Sequence, residues 1–449
     1  MFDDLEQIVD QKFWKVINDL RIHATRKYRL PFLQDLKVKL KQYEYFPSLP
    51  LTVKESDKGH GVARQIPIFH LEDYSVYYYC VRKLEHVIAK NRVEGTYGGW
   101  SMGGKIRKLE NAEEPTDEYQ LTYSYNPAAW AKYYGDFNGR VYGKIKELQD
   151  TGKGNYLVYE LDIANYYDNI QLAILENKIR RDSDYSESGV LDLLMYFLGY
   201  SNRHVTQYQK RSVGIPQDGF GDCSRLLANY YLQDYDLYMS ELAMKHDATY
   251  FRYADDQMLF VPSVEVGEIL VQTASRRLAR IGLNINQKKV ISRTLDELYI
   301  YRSFEINDLF KPKDSNKDQS IVREFATKSF TAIENNADCL KDRGYPLLKR
   351  LITANYNLLD VTQRTKLMRY VFDPGFIKGS RAYSFAAAYA KMREEEQADY
   401  IKLLNELTAK SKHSAFHYEV LAFYRQNGID TNGLENRIAE LRKDIYEIG

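Results

Sequence analysis

An α+β domain, a sheet flanked by helices, is the fold class the sequence predicts, and three observations predict it. The run YLVYELDIANYYDNI, residues 156–170, alternates Val, Leu, Ile and Tyr like a half-buried strand before turning helical near Asp168. A second run, FRYADDQMLF from Phe251 to Phe260, reads as a hairpin. Helical spacing separates and follows them, which gives the order strand, helix, helix, hairpin, helix, strand.

Residues 1–45 read mainly as helix. From Leu51 to Phe69 the pattern shortens around Gly59, Gly61 and Pro67, as in a β-hairpin with a basic tip. Asp73 to Ala89 is helical, the segment GTYGGWSMGG from Gly95 to Gly104 is rich in glycine, and Asn126 to Leu148 is helical again. After the 156–170 run comes a loop, GIPQDGFGD from Gly214 to Asp222, and then one helix, SRLLANYYLQDYDLYMSEL. The hairpin is followed by a helix through Ser275 to Ile281 and a strand-like LNINQKKVIS. From about Lys328 onward helical pattern dominates, interrupted at Pro346 and Pro374. The expected division is an N-terminal, mainly helical region over 1–150, a central sheet domain over 151–315 and a helical region over 316–449.

A chain of 449 residues with 44% hydrophobic and 28% charged residues can bury a large core. No run of 18 apolar residues occurs, so no membrane-spanning helix is expected. The acidic, amphipathic N-terminus fits neither a signal nor a transit peptide, and Cys80, Cys223 and Cys339 are scattered. A cytoplasmic protein without a zinc site is the expectation. The net charge of +1 hides a basic stretch: Arg21 to Gln42 holds seven Lys or Arg and one acid. It reads equally as a track for a phosphate backbone and as a solvated helix face. The 39 tyrosines suit base stacking and half-buried strands alike.

Three aspartates sit inside apolar runs: Asp162 in the first strand, Asp255 and Asp256 in the hairpin. The adjacent pair reads either as a polar turn or as a cation site. Buried carboxylates need a cation or hydrogen-bond donors. If the two runs pair at matching depth, all three acids surround one point. Hard divalent ions choose such oxygen ligands and keep positions open for phosphates. Two of them about 3.5–4 Å apart activate an attacking hydroxyl and a phosphate leaving group, the chemistry of nucleotidyl transfer.

With these residues in order, the sequence resembles reverse transcriptases. YADD (Tyr253 to Asp256) is similar to the family's Y-x-D-D hairpin and LDIANYYDNI to its first metal-binding motif. GIPQ followed by SRLLANYYL is similar to its template- and nucleotide-contacting motif, and IGLNINQKK to the segment after the hairpin. The likeness spans roughly residues 25 to 310. It implies a right-hand polymerase with fingers, an antiparallel-sheet palm and a mainly α-helical thumb or C-terminal region. It implies Asp162, Asp255 and Asp256 as ligands of two Mg²⁺ ions, with Mn²⁺ as an alternative. Tyr167 falls where the family keeps an aromatic gate against a 2′-hydroxyl, Gln217 near the template base and nucleotide, and Arg64 on a basic fingers hairpin at the triphosphate. Lys289 matches a lysine that assists pyrophosphate departure; Tyr253 and Phe304 match template–primer positions. One departure stands out: Asp218-Gly219 follows Gln217, and Ser224 comes seven residues after it, where the family has Gly at once and Ser at five. Template handling is the property this affects.

No acid cluster for an RNase H domain and no Cys/His-rich endonuclease stretch follows the polymerase motifs. That, with GGWSMGGKIRKLE and the Gln217 loop, resembles the bacterial defence-associated and abortive-infection reverse transcriptases. The resemblance implies dNTP substrates, an RNA template (including a dedicated non-coding RNA), a cDNA product, no membrane, and compatibility with a homo-oligomer. Two other readings stand beside it. One is a template-independent, protein-primed DNA polymerase; the other is a catalytically idle nucleic-acid-binding module. The C-terminal helices, including Lys341 to Arg350 and KMREEEQADYIKLLNEL, read as a thumb, as a platform for RNA or another subunit, or as a cap on the palm.

Overall fold

The computed structural model describes residues 2–9, 26–59, 62–89, 92–99, 105–108, 119–122, 129–201, 209–217, 222–302, 318–335, 355–371, 394–411, 414–431 and 433–436, with single positions between them. They form two compact units: Met1–Val53 with Pro67–Leu295, and Lys54–Ile66 with Asp296–Gly449.

In chain order the first unit opens with α1 (Leu5–Ile8) and α2 (Arg26–Lys41), followed by the hairpin β1 (Thr52–Gly59) and β2 (Val62–Ile68), most of which, Lys54–Ile66, belongs to the second unit. The first unit continues through α3 (Leu71–Ile88), β3 (Thr96–Tyr97), β4 (Lys105–Lys108), β5 (Tyr119–Thr122), α4 (Ala129–Asp150) and β6 (Leu157–Ala164). After β6 come α5 (Leu172–Asp182), α6 (Ser188–Tyr200), α7 (Asp222–Tyr231), α8 (Gln233–Lys245) and the hairpin β7 (Thr249–Tyr253) and β8 (Asp256–Val261). It closes with α9 (Val264–Arg280), β9 (Asn284–Ile285) and β10 (Ile291–Thr294).

The main sheet runs β10-β6-β8-β7-β3, with β9 also paired to β6. All pairs are antiparallel except β3 with β7. The strand β6 is buried along most of its length because it lies between β10 and β8. Its hydrophobic run therefore lacks the clean alternation of a one-faced strand. The α+β class and the antiparallel sheet are as predicted.

The helix α3 accounts for four of the 39 tyrosines. Tyr74, Tyr77, Tyr78 and Tyr79 are each at most 1% exposed, packed in one core with α6 and α7. These rings serve packing, with hydroxyls satisfied inside: Tyr77 Oη lies 2.8 Å from Ser224 Oγ, and Tyr79 Oη donates to Asp4 Oδ1 at 2.8 Å. The basic stretch is also partly accounted for. Lys39 pairs with Glu72 at 2.6 Å, while Lys41 and Lys37 pair with Asp3 at 2.8 and 3.3 Å. Those three cations pin α2 to the rest of the unit.

Several elements differ from the sequence expectation. The 95–104 segment contains β3, which extends the sheet. The helix expected over 224–242 is two, α7 and α8, parted at Leu232. The helix expected from Ser275 starts eleven residues earlier, at Val264, where Ser263 caps it by accepting from Val266 N at 3.4 Å. The helix α6, apolar except for a few positions such as the exposed Asp192, lies where the sequence carries no clear amphipathic stripe. Pro346, Pro374, Cys339 and nearly all of Lys341 to Arg350 lie outside the described residues.

The second unit holds α10 (Leu295–Tyr301, from its second residue), α11 (Gln319–Asn335), α12 (Val361–Val371), α13 (Glu394–Lys410) and α14 (Ser414–Gln426). It has its own core, including Val322, Phe325, Leu367, Tyr400, Leu404 and Phe423. It is helical, as the sequence predicts, and α13 falls within the KMREEEQADYIKLLNEL stretch and just beyond it.

Candidate active site

The three aspartates meet at one end of the sheet. Antiparallel pairing of β6 with β8 places Asp162 directly opposite Asp256. At the tip of the β7–β8 hairpin, Tyr253 pairs with Asp256 across a two-residue loop, Ala254-Asp255. The loop is tied to β6 by Ile163 N donating to Asp255 O at 3.2 Å. The hairpin turn and the shared acid site are thus the same feature: the turn is what carries Asp255 to the register of Asp162.

Asp162 is 8% exposed, and both its oxygens are engaged. Lys289 Nζ donates to Oδ1 at 2.8 Å and Asn286 Nδ2 to Oδ2 at 3.2 Å. Asn286 N also donates to Asp162 O at 2.8 Å, which locks the segment after β9 onto β6. Burial works against the Lys289 charge, but its hydrogen bond to Asp162 and the fields of Asp162, Asp256 and Asp255 outweigh it, so its pKa is raised. The Lys289 ammonium thus lies within the field of all three acids. Among the described residues no three His, Cys, Asp or Glu side chains form a ready-made metal cluster. The donor chemistry nevertheless fits Mg²⁺: carboxylate oxygens only, around a point that already holds a cation.

The hairpin turn is buttressed from inside. Ala254 has a positive φ of 54°, a conformation costing a non-glycine residue about 1–2 kcal/mol. Its carbonyl accepts from Arg252 Nη1 at 2.7 Å. The arginine is fully buried, forks onto Asp236 at 2.7 and 2.6 Å, and also donates to Asn229 Oδ1 at 2.7 Å. Glycines bring a further strand in close. A Cβ at Gly95 would stand 2.8 Å from Tyr250 O, and one at Gly99 would stand 2.6 Å from Arg225 Cβ. The sequence reading missed Asn286 and the Arg252–Asp236–Asn229 set. The signal for the latter was present: alternation along β7 buries Tyr250 and Arg252, and a buried arginine demands an acid.

Tyr253 is half-buried against Tyr134 (centroids 5.1 Å apart) and Phe137 (5.7 Å). Burial raises its pKa, with Arg225 opposing. Tyr167 is half-buried in a single 3₁₀ turn just after β6, its ring 5.5 Å from that of Tyr166. Tyr166 is anchored by its hydroxyl to Ala228 O. The Gln217 loop reaches this turn: Ile215 N donates to Tyr167 O at 2.9 Å. Gln217 itself is half-buried, and residues 218–221 lie outside the described residues. The structure thus brings together Asp162, Asp255, Asp256 and Lys289, with Tyr253 and Tyr167 on adjoining turns. Arg64 is exposed on β2, and Phe304 is buried beside Tyr299 (5.9 Å); both belong to the other unit.

Residues 105–302 match the model of the family described as Reverse transcriptase (RNA-dependent DNA polymerase). The chain therefore carries a reverse transcriptase domain, of the RNA-directed DNA polymerase class of nucleotidyltransferases. All three aspartates, Tyr167, Gln217 and Lys289 fall within the matched stretch; Arg64 and Phe304 fall outside it. No curated protein matches the chain. Among solved structures it is similar to telomerase from Candida albicans in complex with a fragment of telomeric RNA, at 10% identity, 82% of this chain, 70% of that chain and a TM-score of 0.36. It is also similar to apo telomerase from Candida tropicalis, at 10% identity, 83% and 74% coverage and a TM-score of 0.38. Among the described residues no helix is long and apolar enough to cross a membrane.

Proposed function

We propose that the chain makes cDNA on a bound RNA, a dedicated non-coding RNA, by nucleotidyl transfer at Asp162, Asp255 and Asp256, and that it does so in bacterial anti-phage defence. The observation that carries the chemistry is the register of Asp162 against Asp256, with Asp255 on the intervening turn. The defence setting rests on the sequence resemblance. In this reading residues 1–150 are fingers, 151–315 palm and 316–449 thumb or C-terminal domain.

The three aspartates would hold two Mg²⁺ ions. Bound there, the ions would activate the primer 3′-hydroxyl and neutralise the departing pyrophosphate. Lys289 is 60% exposed at its side chain, so it can leave Asp162 when a divalent ion arrives and turn its ammonium to the pyrophosphate. Tyr167 would close the space under the sugar at C2′. Gln217 would lie along the template base and nucleotide, Tyr253 along template and primer, and the roles of Arg64 at the triphosphate and Phe304 at the primer rest on the sequence resemblance.

The Gln217 loop supports a second reading, synthesis without a template and primed from a tyrosine. Burial narrows the choice of hydroxyl: the α3 tyrosines are inaccessible, whereas Tyr43 and Tyr185 are 95% and 93% exposed.

Two measurements on full-length protein separate these readings. Sequencing nucleic acid that co-purifies with it should return one discrete RNA, whose copy is the product. Replacing Tyr167 with Ala should raise use of rNTPs relative to dNTPs about a hundredfold, as expected when a steric exclusion is removed. Unchanged sugar selection would remove Tyr167 from the nucleotide site. A product unrelated to any RNA, covalently attached to protein, would replace the leading reading with the second.

A further inference from the structure

Away from the aspartates, the first unit contains a pocket of about 420 Å³ between α5, α8 and α9, a volume typical of small-ligand sites. None of Asp162, Asp255, Asp256 and Lys289 lines it. Its charges are unbalanced: Lys178, Arg181, Arg277 and Arg280 face a single acid, Asp234.

The cations differ in how they are satisfied. Arg181 is committed to Asp182, with Nε donating to Oδ1 at 2.7 Å. Arg277 lies 3.6 Å over the ring of Tyr238, and among the described residues neither it nor Arg280 has a carboxylate partner. The decisive group is Lys178. It is 6% exposed, yet its ammonium makes no hydrogen bond. Asp234 Oδ1 forms an ion pair with it at 3.3 Å without a well-aligned hydrogen bond, and the ring of Tyr230 lies 4.7 Å off. An ammonium has three protons to give, and a single poorly aligned ion-pair partner leaves it under-satisfied. Burial accordingly lowers its pKa, against the pull of Asp234. A ligand that brought anionic oxygens would satisfy Lys178 and the two unpaired arginines at once. Tyr231, Tyr235 and Tyr238 complete the walls, the last with its ring already faced by Arg277.

We propose that this pocket is a second, non-catalytic binding site for a phosphate group, held by Lys178, Arg277 and Arg280. The phosphate is supplied free, on a nucleotide or as part of a strand. The site is independent of the polymerase reading, because no catalytic aspartate lines the pocket.

The test is calorimetric titration of full-length protein in EDTA, so that any site dependent on divalent ions is silent. The probes are ATP, inorganic phosphate and a short oligo(A) RNA. The variants are Arg277→Gln/Arg280→Gln, which alters half-buried and exposed positions of α9 and spares the core, and Asp255→Asn. ATP should saturate one site in the wild type and in Asp255→Asn, with at least about tenfold weaker binding in the arginine double variant. Binding of the RNA alone, weakened likewise, would assign the phosphate to a strand. No saturable binding of any probe at millimolar concentration, or equal binding by the double variant, would overturn the proposal. So would loss of metal-free binding in Asp255→Asn alone.

Discussion

Lys289 shows at the scale of one residue how the site is poised. Its pKa is raised in the folded protein, so what its charge contributes to stability is fully present below the ordinary lysine value and disappears as pH climbs through the folded one. The melting temperature of Lys289→Met should therefore lie below that of the wild type by a constant margin from pH 6 to 9. The margin should shrink only above about pH 10.5. A margin that vanished near pH 7 would mean that another group carries the interaction. Arg252 makes the complementary case inside the core. It links Asp236, Asn229 and the carbonyl of Ala254, so removing it strands a buried acid and releases the hairpin turn. Arg252→Met should cost about 3–5 kcal/mol in chemical denaturation, and Arg252→Met/Asp236→Leu should recover most of that loss. Failure of the double variant to recover would show that the turn, rather than the stranded charge, dominates.

Elements differ in how far they were legible, and the reasons are physical. The palm strands were readable because β-branched and aromatic residues cluster in short runs interrupted by acids, an arrangement with few innocent explanations. Pairing by residue type alone placed Asp162 with Asp255 and Asp256, and the register agrees. The mostly apolar α6 was not readable, since its single charged residue, Asp192, marks too little of a polar face to give a periodic pattern. Nor was β3: two residues in a glycine-rich loop become a strand only because β7 offers them an edge. Asn286 was invisible for a similar reason; its hydrogen bond to Asp162 exists only once β9 has paired with β6. The helix α9 was seen short because its first turns are partly exposed. Gly267 within them is a contact residue, since a Cβ there would stand 2.2 Å from the ring of Tyr159 on β6. Gly267→Ala should therefore destabilise the protein by about 1–3 kcal/mol, although alanine is the better helix former. A gain in melting temperature would show that the Tyr159 ring can move aside without loss.

At the scale of the whole molecule, two units with separate cores divide the residues that the resemblance assigns to one reaction. The first unit carries the acids, Lys289, Tyr167 and Gln217; the second carries Arg64 and Phe304. The proposed chemistry belongs to the first unit, and the central claim is that the hairpin and β6 jointly hold the groups proposed to react. That claim is tested most directly by dNTP incorporation by the purified full-length protein in Mg²⁺. It would be measured with and without an RNA template and primer, beside Asp162→Asn and Asp255→Ala. The account predicts templated incorporation of all four dNTPs by the wild type and a loss of about a thousandfold in each variant. Incorporation that persisted undiminished in both variants would contradict it.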